Sequence, residues 1–196
     1  MDFLIDGPES APYTLVFAHG AGAAMDTPFM NTVARGVAAH GIRVVRFEFP
    51  YMAARRTGGK RGAPDRQPVL LQTWRDVVGE LGGGARLVIG GKSMGGRMAT
   101  MIADELRVRG VAVLGYPFHP PGQPEKRRTA HLETMHTPTL IVQGTRDPFG
   151  GPDDVAGYRI SPTIRIEWLQ GGQHSLKGAQ LTQGIELTAG FVMRLT

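Results

Sequence analysis

The chain of 196 residues contains no cysteine. That excludes disulfide staples, a thiolate nucleophile and any zinc–thiolate centre. It also suits a reducing compartment. Long hydrophobic runs are missing too, since no apolar stretch approaches the ~20 residues a membrane-spanning helix requires. The opening MDFLIDGPES is acidic and lacks the basic start and apolar core of a secretory signal. A cytoplasmic protein with no membrane partner is the expectation. Aromatic residues make up only 7% of the chain. None interleaves with the basic residues of RRTGGKRGAPDR, 55–66, so no base-stacking platform and no nucleic-acid partner is expected. Histidines and carboxylates nowhere recur at metal-ligand spacing, so neither a metal nor a cofactor is expected.

What is present describes a globular protein. The hydrophobic set is 41% and charged residues are 20%, neither a disordered nor a membrane composition. The length suits one domain over 1–196 with a sizeable core. Much of the formal charge of +5 sits in 55–66. That stretch reads either as a solvated loop or as a basic rim that draws anionic substrates.

Glycine and proline divide the chain into segments of alternating type. Strands are expected at 13–18, 42–49, 85–90, 111–116, 139–144 and 164–170, mostly unbroken runs of Val, Ile and Leu. Such runs mark strands buried on both faces. Helices are expected at 28–41, 68–81, 94–106 and 176–195 from their apolar periodicity. Alternating strands and helices predict an α/β protein. The expected form is a three-layer α/β/α sandwich on a mainly parallel sheet of about six strands. Ligands of such sheets bind beyond the carboxyl ends of the strands. The segments expected there are HGAGA, PYMAARR, GKSMGG, PFHPPG, TRDPFG and GGQHSLK. A serine, an aspartate and a histidine therefore share one edge.

LVIGGKSMGG, 87–96, contains Gly-Lys-Ser, the end of a phosphate-binding P-loop. The P-loop reading fails on register. Its first glycine would fall on Arg86, and its loop on Leu87 to Gly90, which read as strand. The alternative is a nucleophile on a sharp strand-to-helix turn, Gly-x-Ser-x-Gly. Gly91 and Gly95 stand where side chains would collide, and the helix from Met94 points its N-terminus at the site. Ser93 is thus the candidate nucleophile, with a structural turn serine as the plain alternative. A hydroxyl nucleophile needs a base, usually histidine, oriented by a carboxylate. His174 follows the last strand and Asp147 the one before it; Asp153 and Asp154 are rivals for the carboxylate.

The N–H of Met94 and one from HGAGA would form an oxyanion hole, with Ala21 the first choice and Gly22 the second. His19 would lock that loop by hydrogen bonding. His131 and His136 fall in a polar, exposed-looking segment. His119, Met52 and Phe118 are expected as pocket lining, Phe118 equally as core. Arg55, Arg56, Lys60 and Arg61, with Lys92 beside the nucleophile, admit an anionic ester among the substrates; Lys92 is equally a solvated residue. The loop 50–66 is expected as a partial lid hinged at Gly58, Gly59 and Gly62.

HGAGA, FEFPYM, GGKSMGGRMA, LGYPFHPPG, VQGTRDPFG and GGQHSLK together resemble the α/β-hydrolase superfamily. More narrowly they resemble the small dienelactone-hydrolase-like group related to bacterial and testis-expressed hydrolases. The resemblance covers nearly the whole chain. It implies a serine-hydrolase fold, the minimal α/β-hydrolase fold, with Ser93, Asp147 and His174 as a triad in the family's order. Because the connection PFHPPGQPEKRRT after Tyr116 is short, no cap domain is expected. The resemblance does not imply a substrate; the Ser-His-Asp arrangement itself suggests hydrolysis of a small-molecule carboxylic ester or thioester. Dienelactone hydrolases proper use a cysteine nucleophile, whereas this chain has serine. A peptidase or acyltransferase on the same residues, or a non-catalytic scaffold reusing the fold, are the other readings.

Overall fold

The computed structural model describes residues 1–59 and 62–195. Its strands are β1 (Leu4–Asp6), β2 (Thr14–Ala18), β3 (Arg43–Phe47), β4 (Leu87–Lys92), β5 (Gly110–Leu114), β6 (Thr139–Gly144) and β7 (Ile164–Leu169). They form one seven-stranded sheet in the order β1-β3-β2-β4-β5-β6-β7. All neighbours pair in parallel except β1, which runs antiparallel to β3. The helices are α1 (Pro28–Ala38), α2 (Pro50–Arg56), α3 (Gln67–Glu80), α4 (Met94–Leu106), α5 (Pro152–Val155) and α6 (Gly178–Arg194).

The strands' period of two explains why both sheet faces are apolar. On β2, Val16 and Ala18 enter one core with Trp74 of α3 and Met98 of α4. Leu15 and Phe17 point the other way, into a core with Val33 of α1 and Ile185 of α6. On β5, Val111 and Val113 divide from Ala112 and Leu114 in the same manner. In α1 the buried residues are Met30, Val33, Ala34 and Val37, the spacing of one helical face. Thr27 caps that helix, accepting from the Met30 N–H, and Pro28 starts it without losing a bond.

Three expectations change. The sheet has seven strands rather than about six, because the three-residue edge strand β1 is too short to show a period. The segment after Phe49 is not all loop: Pro50 opens the short helix α2, and Tyr51 and Met52 bury themselves on it. His131 is not exposed. It is half-buried, and its Nε2 lies 2.9 Å from Thr100 Oγ1 on α4. His136 stays exposed.

Burial, reinforced by the positive charge of Arg97, pushes the His131 imidazole down to about 4 from 6.5. Between those values the unfolded chain binds a proton that the folded chain refuses, so stability falls as pH drops from about 6.5 to 4. His131→Gln is expected to flatten that part of the melting-temperature profile. Thermal melts between pH 4 and 7 check it; an unchanged profile would assign the acid sensitivity elsewhere.

No helix among the described residues is long and apolar enough to cross a membrane. Between β5 and β6 the only helical piece is a single turn at Ala130–Glu133, so no separate cap covers the sheet edge.

Candidate active site

The site begins where β4 turns into α4. Ser93 holds φ 51° and ψ −115°, a backbone region that costs a non-glycine residue roughly 1–3 kcal/mol. The surroundings enforce it. A Cβ on Gly91 would stand 2.3 Å from the Ala18 carbonyl oxygen, and one on Gly95 2.5 Å from that of His19. Two glycines thus let β4 and α4 press against the end of β2, and the serine between them is turned outward.

His174 comes from the loop between β7 and α6, and Asp147 from the turn after β6. His174 Nε2 lies 2.8 Å from Ser93 Oγ, and its Nδ1 lies 2.8 Å from Asp147 Oδ2. Donation of Nδ1–H to the carboxylate leaves the Nε2 lone pair for the serine hydroxyl. Asp147 is buried and accepts two further bonds, from Gln143 Nε2 at 2.9 Å and the Phe149 N–H at 2.8 Å. Its rivals lie elsewhere. Asp154 accepts from the Gly151 N–H at 2.9 Å, and Asp153 belongs to the first turn of α5.

Gln143 is a residue that sequence reasoning missed. It is fully buried on β6. It accepts from the Tyr116 N–H and donates to the carbonyls of Tyr116 and Gly150 and to Asp147. One amide thereby fixes two strand ends relative to the carboxylate. The available signal was a lone glutamine in the apolar run TLIVQG. Phe149 was missed as well; its ring lies 4.2 Å from that of His174.

The HGAGA loop is fastened from behind. His19 is buried; its Nε2 accepts from the Phe49 N–H at 3.1 Å, and its Nδ1 donates to the Gly20 carbonyl at 2.7 Å. Burial, the largest influence, holds this imidazole below its ordinary value, and both nitrogens are engaged. Tyr51 donates to the Ala21 carbonyl at 2.9 Å, and Glu48 accepts from the Met25 N–H at 3.2 Å. Ala21 and Gly22 line the cavity beside Ser93. Met94 is the first residue of α4, so its N–H has no acceptor within the helix.

A cavity of about 600 Å³ opens over Ser93 and His174. Ala23, Pro28, Phe29, Met30, Leu176 and Leu181 form much of its wall, so it lies between the N-terminal ends of α1 and α6. This placement separates the expected substrate residues. Lys92 is among the lining. Met52 and Phe118 are buried in the core on the α3–α4 face of the sheet. His119 is buried with Nδ1 on the Pro120 carbonyl and Nε2 3.4 Å from Asp154. None of these three reaches the cavity wall.

The arginines are also occupied away from it. Arg56 pairs with Glu48 at 2.7 Å and Asp26 at 2.9 Å. Arg55 donates to the Gly62 carbonyl and lies 5.3 Å from the centre of the Tyr51 ring. They brace the segment that had been expected to act as a lid. Lys60 and Arg61 lie outside the described residues. Among the described residues no group of three or more histidines and carboxylates is placed to hold a metal ion.

Residues 11–189 match the model of a family described as an alpha/beta hydrolase domain. Solved structures repeat the architecture at low identity. The monoacylglycerol lipase of Paleococcus ferrophilus is 13% identical with a TM-score of 0.79, over 100% of this chain and 99% of that one. The dienelactone hydrolase of Anabaena variabilis is 20% identical with a TM-score of 0.77, over 98% and 90%. Est1E of Butyrivibrio proteoclasticus, with ferulic acid bound, is 15% identical with a TM-score of 0.74, over 99% and 94%.

Proposed function

The chain belongs to the alpha/beta hydrolase family, and from that premise we propose that it is a serine hydrolase cleaving small carboxylic esters through an acyl-enzyme. The observation that carries this reading is the continuous hydrogen-bonded line from Ser93 Oγ through His174 to Asp147, 2.8 Å at each step. It ends at a serine held in strained backbone at the floor of a cavity. A lipase and a dienelactone hydrolase among the structural neighbours favour an ester bond as the one cleaved.

In this mechanism His174 Nε2 takes the Ser93 proton as Oγ attacks the ester carbonyl. Asp147 holds the tautomer and balances the charge that develops on the ring. The N–H groups of Met94 and Ala21 receive the oxyanion; each such donor is typically worth ~10²–10³ in turnover. Collapse of the intermediate releases the alcohol, protonated by His174, and leaves the acyl group on Ser93. Water activated by His174 then frees the acid and restores the serine.

The cavity wall favours an apolar acyl or alkoxy group over a charged one. Its volume is at the scale that accommodates a small ligand, and Arg55 and Arg56 are committed to structural partners. The first test is labelling with a fluorophosphonate, read by intact mass and peptide mapping. One adduct on the peptide carrying Ser93 is expected. A folded, unlabelled protein would favour a non-catalytic use of the fold.

A further inference from the structure

We propose that Lys92 is a positioning residue: its ammonium head holds the main chain of His174 and thereby sets the imidazole between Ser93 and Asp147. The proposal rests on the reading of Ser93 and His174 as nucleophile and base, and deepens it.

Lysine is almost never buried without a counter-charge. Lys92 is only 8% exposed, at the last position of β4 and next to Ser93. No carboxylate among the described residues is within ion-pair distance of it. Its Nζ instead donates to the backbone carbonyl of His174, and the Phe29 ring lies 5.9 Å away. Burying an ammonium for one carbonyl bond is costly in stability. Such an arrangement is the kind that persists where function requires it.

The surroundings are shaped for this contact. Gly115, just past β5, has φ 71°. A Cβ there would stand 2.6 Å from Lys92 Nζ, 2.8 Å from the His174 carbonyl oxygen and 3.3 Å from His174 Nδ1. The missing side chain is the notch through which the lysine reaches beneath the histidine. The histidine loop needs such a hold. It is tied at its start, where Thr145 Oγ1 accepts from the Gly171 N–H and the Gly172 carbonyl accepts from the Arg146 N–H. From 173 to 176, the Lys92 bond is the one hydrogen bond to main chain among the described residues.

The latch is also sensitive to protonation. Burial brings the Lys92 ammonium down to about 8, opposed by the negative charge of Asp147. His174 adjoins it, and Lys177 stands on the cavity wall. As pH rises through about 8 the head loses its charge, and a charge-assisted bond becomes a weaker neutral one.

The experiment compares the native protein with Lys92→Met and Lys92→Arg. Hydrogen exchange at the hydrogen-bonded amides that flank the histidine loop, Gly171, Gly172 and Leu181, is followed by mass spectrometry, corrected for intrinsic rates. Turnover is followed from pH 6 to 10 on a neutral p-nitrophenyl ester and on a carboxylate-bearing analogue. Lys92→Met is expected to melt cooperatively and to exchange faster at those flanking amides. Its kcat on the neutral ester should fall ~10–100-fold, the scale of a misplaced catalytic group, with KM nearly unchanged. Native protection and kcat should both decline through about pH 8, and Lys92→Arg should restore part of the activity and shift that decline upward. Unchanged exchange and kcat in Lys92→Met would overturn the proposal. So would a rise in KM confined to the carboxylate-bearing ester, which would make Lys92 a substrate ligand. If Lys92→Met does not fold, Lys92→Gln, which keeps a neutral donor on a shorter stem, is compared in its place: unchanged kcat on the neutral ester overturns the latch. If the native protein hydrolyses neither ester, the hydrolase reading fails while the exchange measurements still decide the latch.

Discussion

Ser93→Ala is expected to lower ester turnover by about 10⁶-fold while leaving the fold intact. The side chain is half-buried at the cavity floor, not packed in either core. Alanine at φ 51° carries a backbone penalty similar to that of serine, so the melting temperature should move little. What remains is catalysis by the oxyanion donors and by binding, about 10³–10⁴-fold over water. Ester hydrolysis and thermal melting on the same preparation separate the two effects. Ser175 lines the same cavity. Turnover within about tenfold of native would therefore move the nucleophile to another hydroxyl, with Ser175 the first to examine.

Asp147→Asn should cost about 10⁴-fold in kcat with little change in KM. The size of the effect follows from the tautomer. The carboxylate accepts the Nδ1–H of His174 and leaves Nε2 free to receive the serine proton. An amide in its place can present N–H to Nδ1, which moves the ring proton to Nε2 and removes the base. The Phe149 N–H would still hold the carbonyl oxygen at the Oδ1 position, while Gln143 Nε2, which donates to the Oδ2 position, would keep only the carbonyls of Tyr116 and Gly150 as acceptors. The substitution thus changes a proton's place more than the architecture. KM should hold because Asp147 is buried behind the histidine and is absent from the cavity wall. A loss below about tenfold would mean that the carboxylate does not set the tautomer.

The sheet and the line of strand-end residues were legible early because each signal is local. A buried parallel strand needs an apolar run, and a sharp strand-to-helix turn needs glycines beside its serine. Both can be read without knowing what lies opposite. Strand β1 escaped because three residues carry no period. Helix α2 escaped because the basic residues after it dominate its composition, although Pro50 and buried Tyr51 and Met52 define it. His131 was misplaced for a related reason: its polar neighbours say nothing of Thr100, which comes from a different helix.

Substrate-contact residues fared differently. Met52, Phe118, His119, Arg55 and Arg56 all stand near strand ends, where ligands bind in this architecture. A strand end, however, has two faces. The cavity opens toward α1 and α6, while Met52 and Phe118 pack on the α3–α4 side. Arg56 is claimed by Glu48 and Asp26, one of which precedes it by eight residues and the other by thirty. No periodicity encodes such a pairing.

The sequence by itself determined six of the seven strands and the four longer helices, the turn that presents Ser93, and the edge on which Asp147 and His174 stand. Those follow from hydrophobic spacing and from steric demands within a few residues. Only the tertiary structure decided which face of that edge is hollow and which basic residues are free. It alone set Lys92 beneath His174, through the space that Gly115 leaves open. These depend on distances between segments far apart in the chain, and three-dimensional packing alone sets those distances.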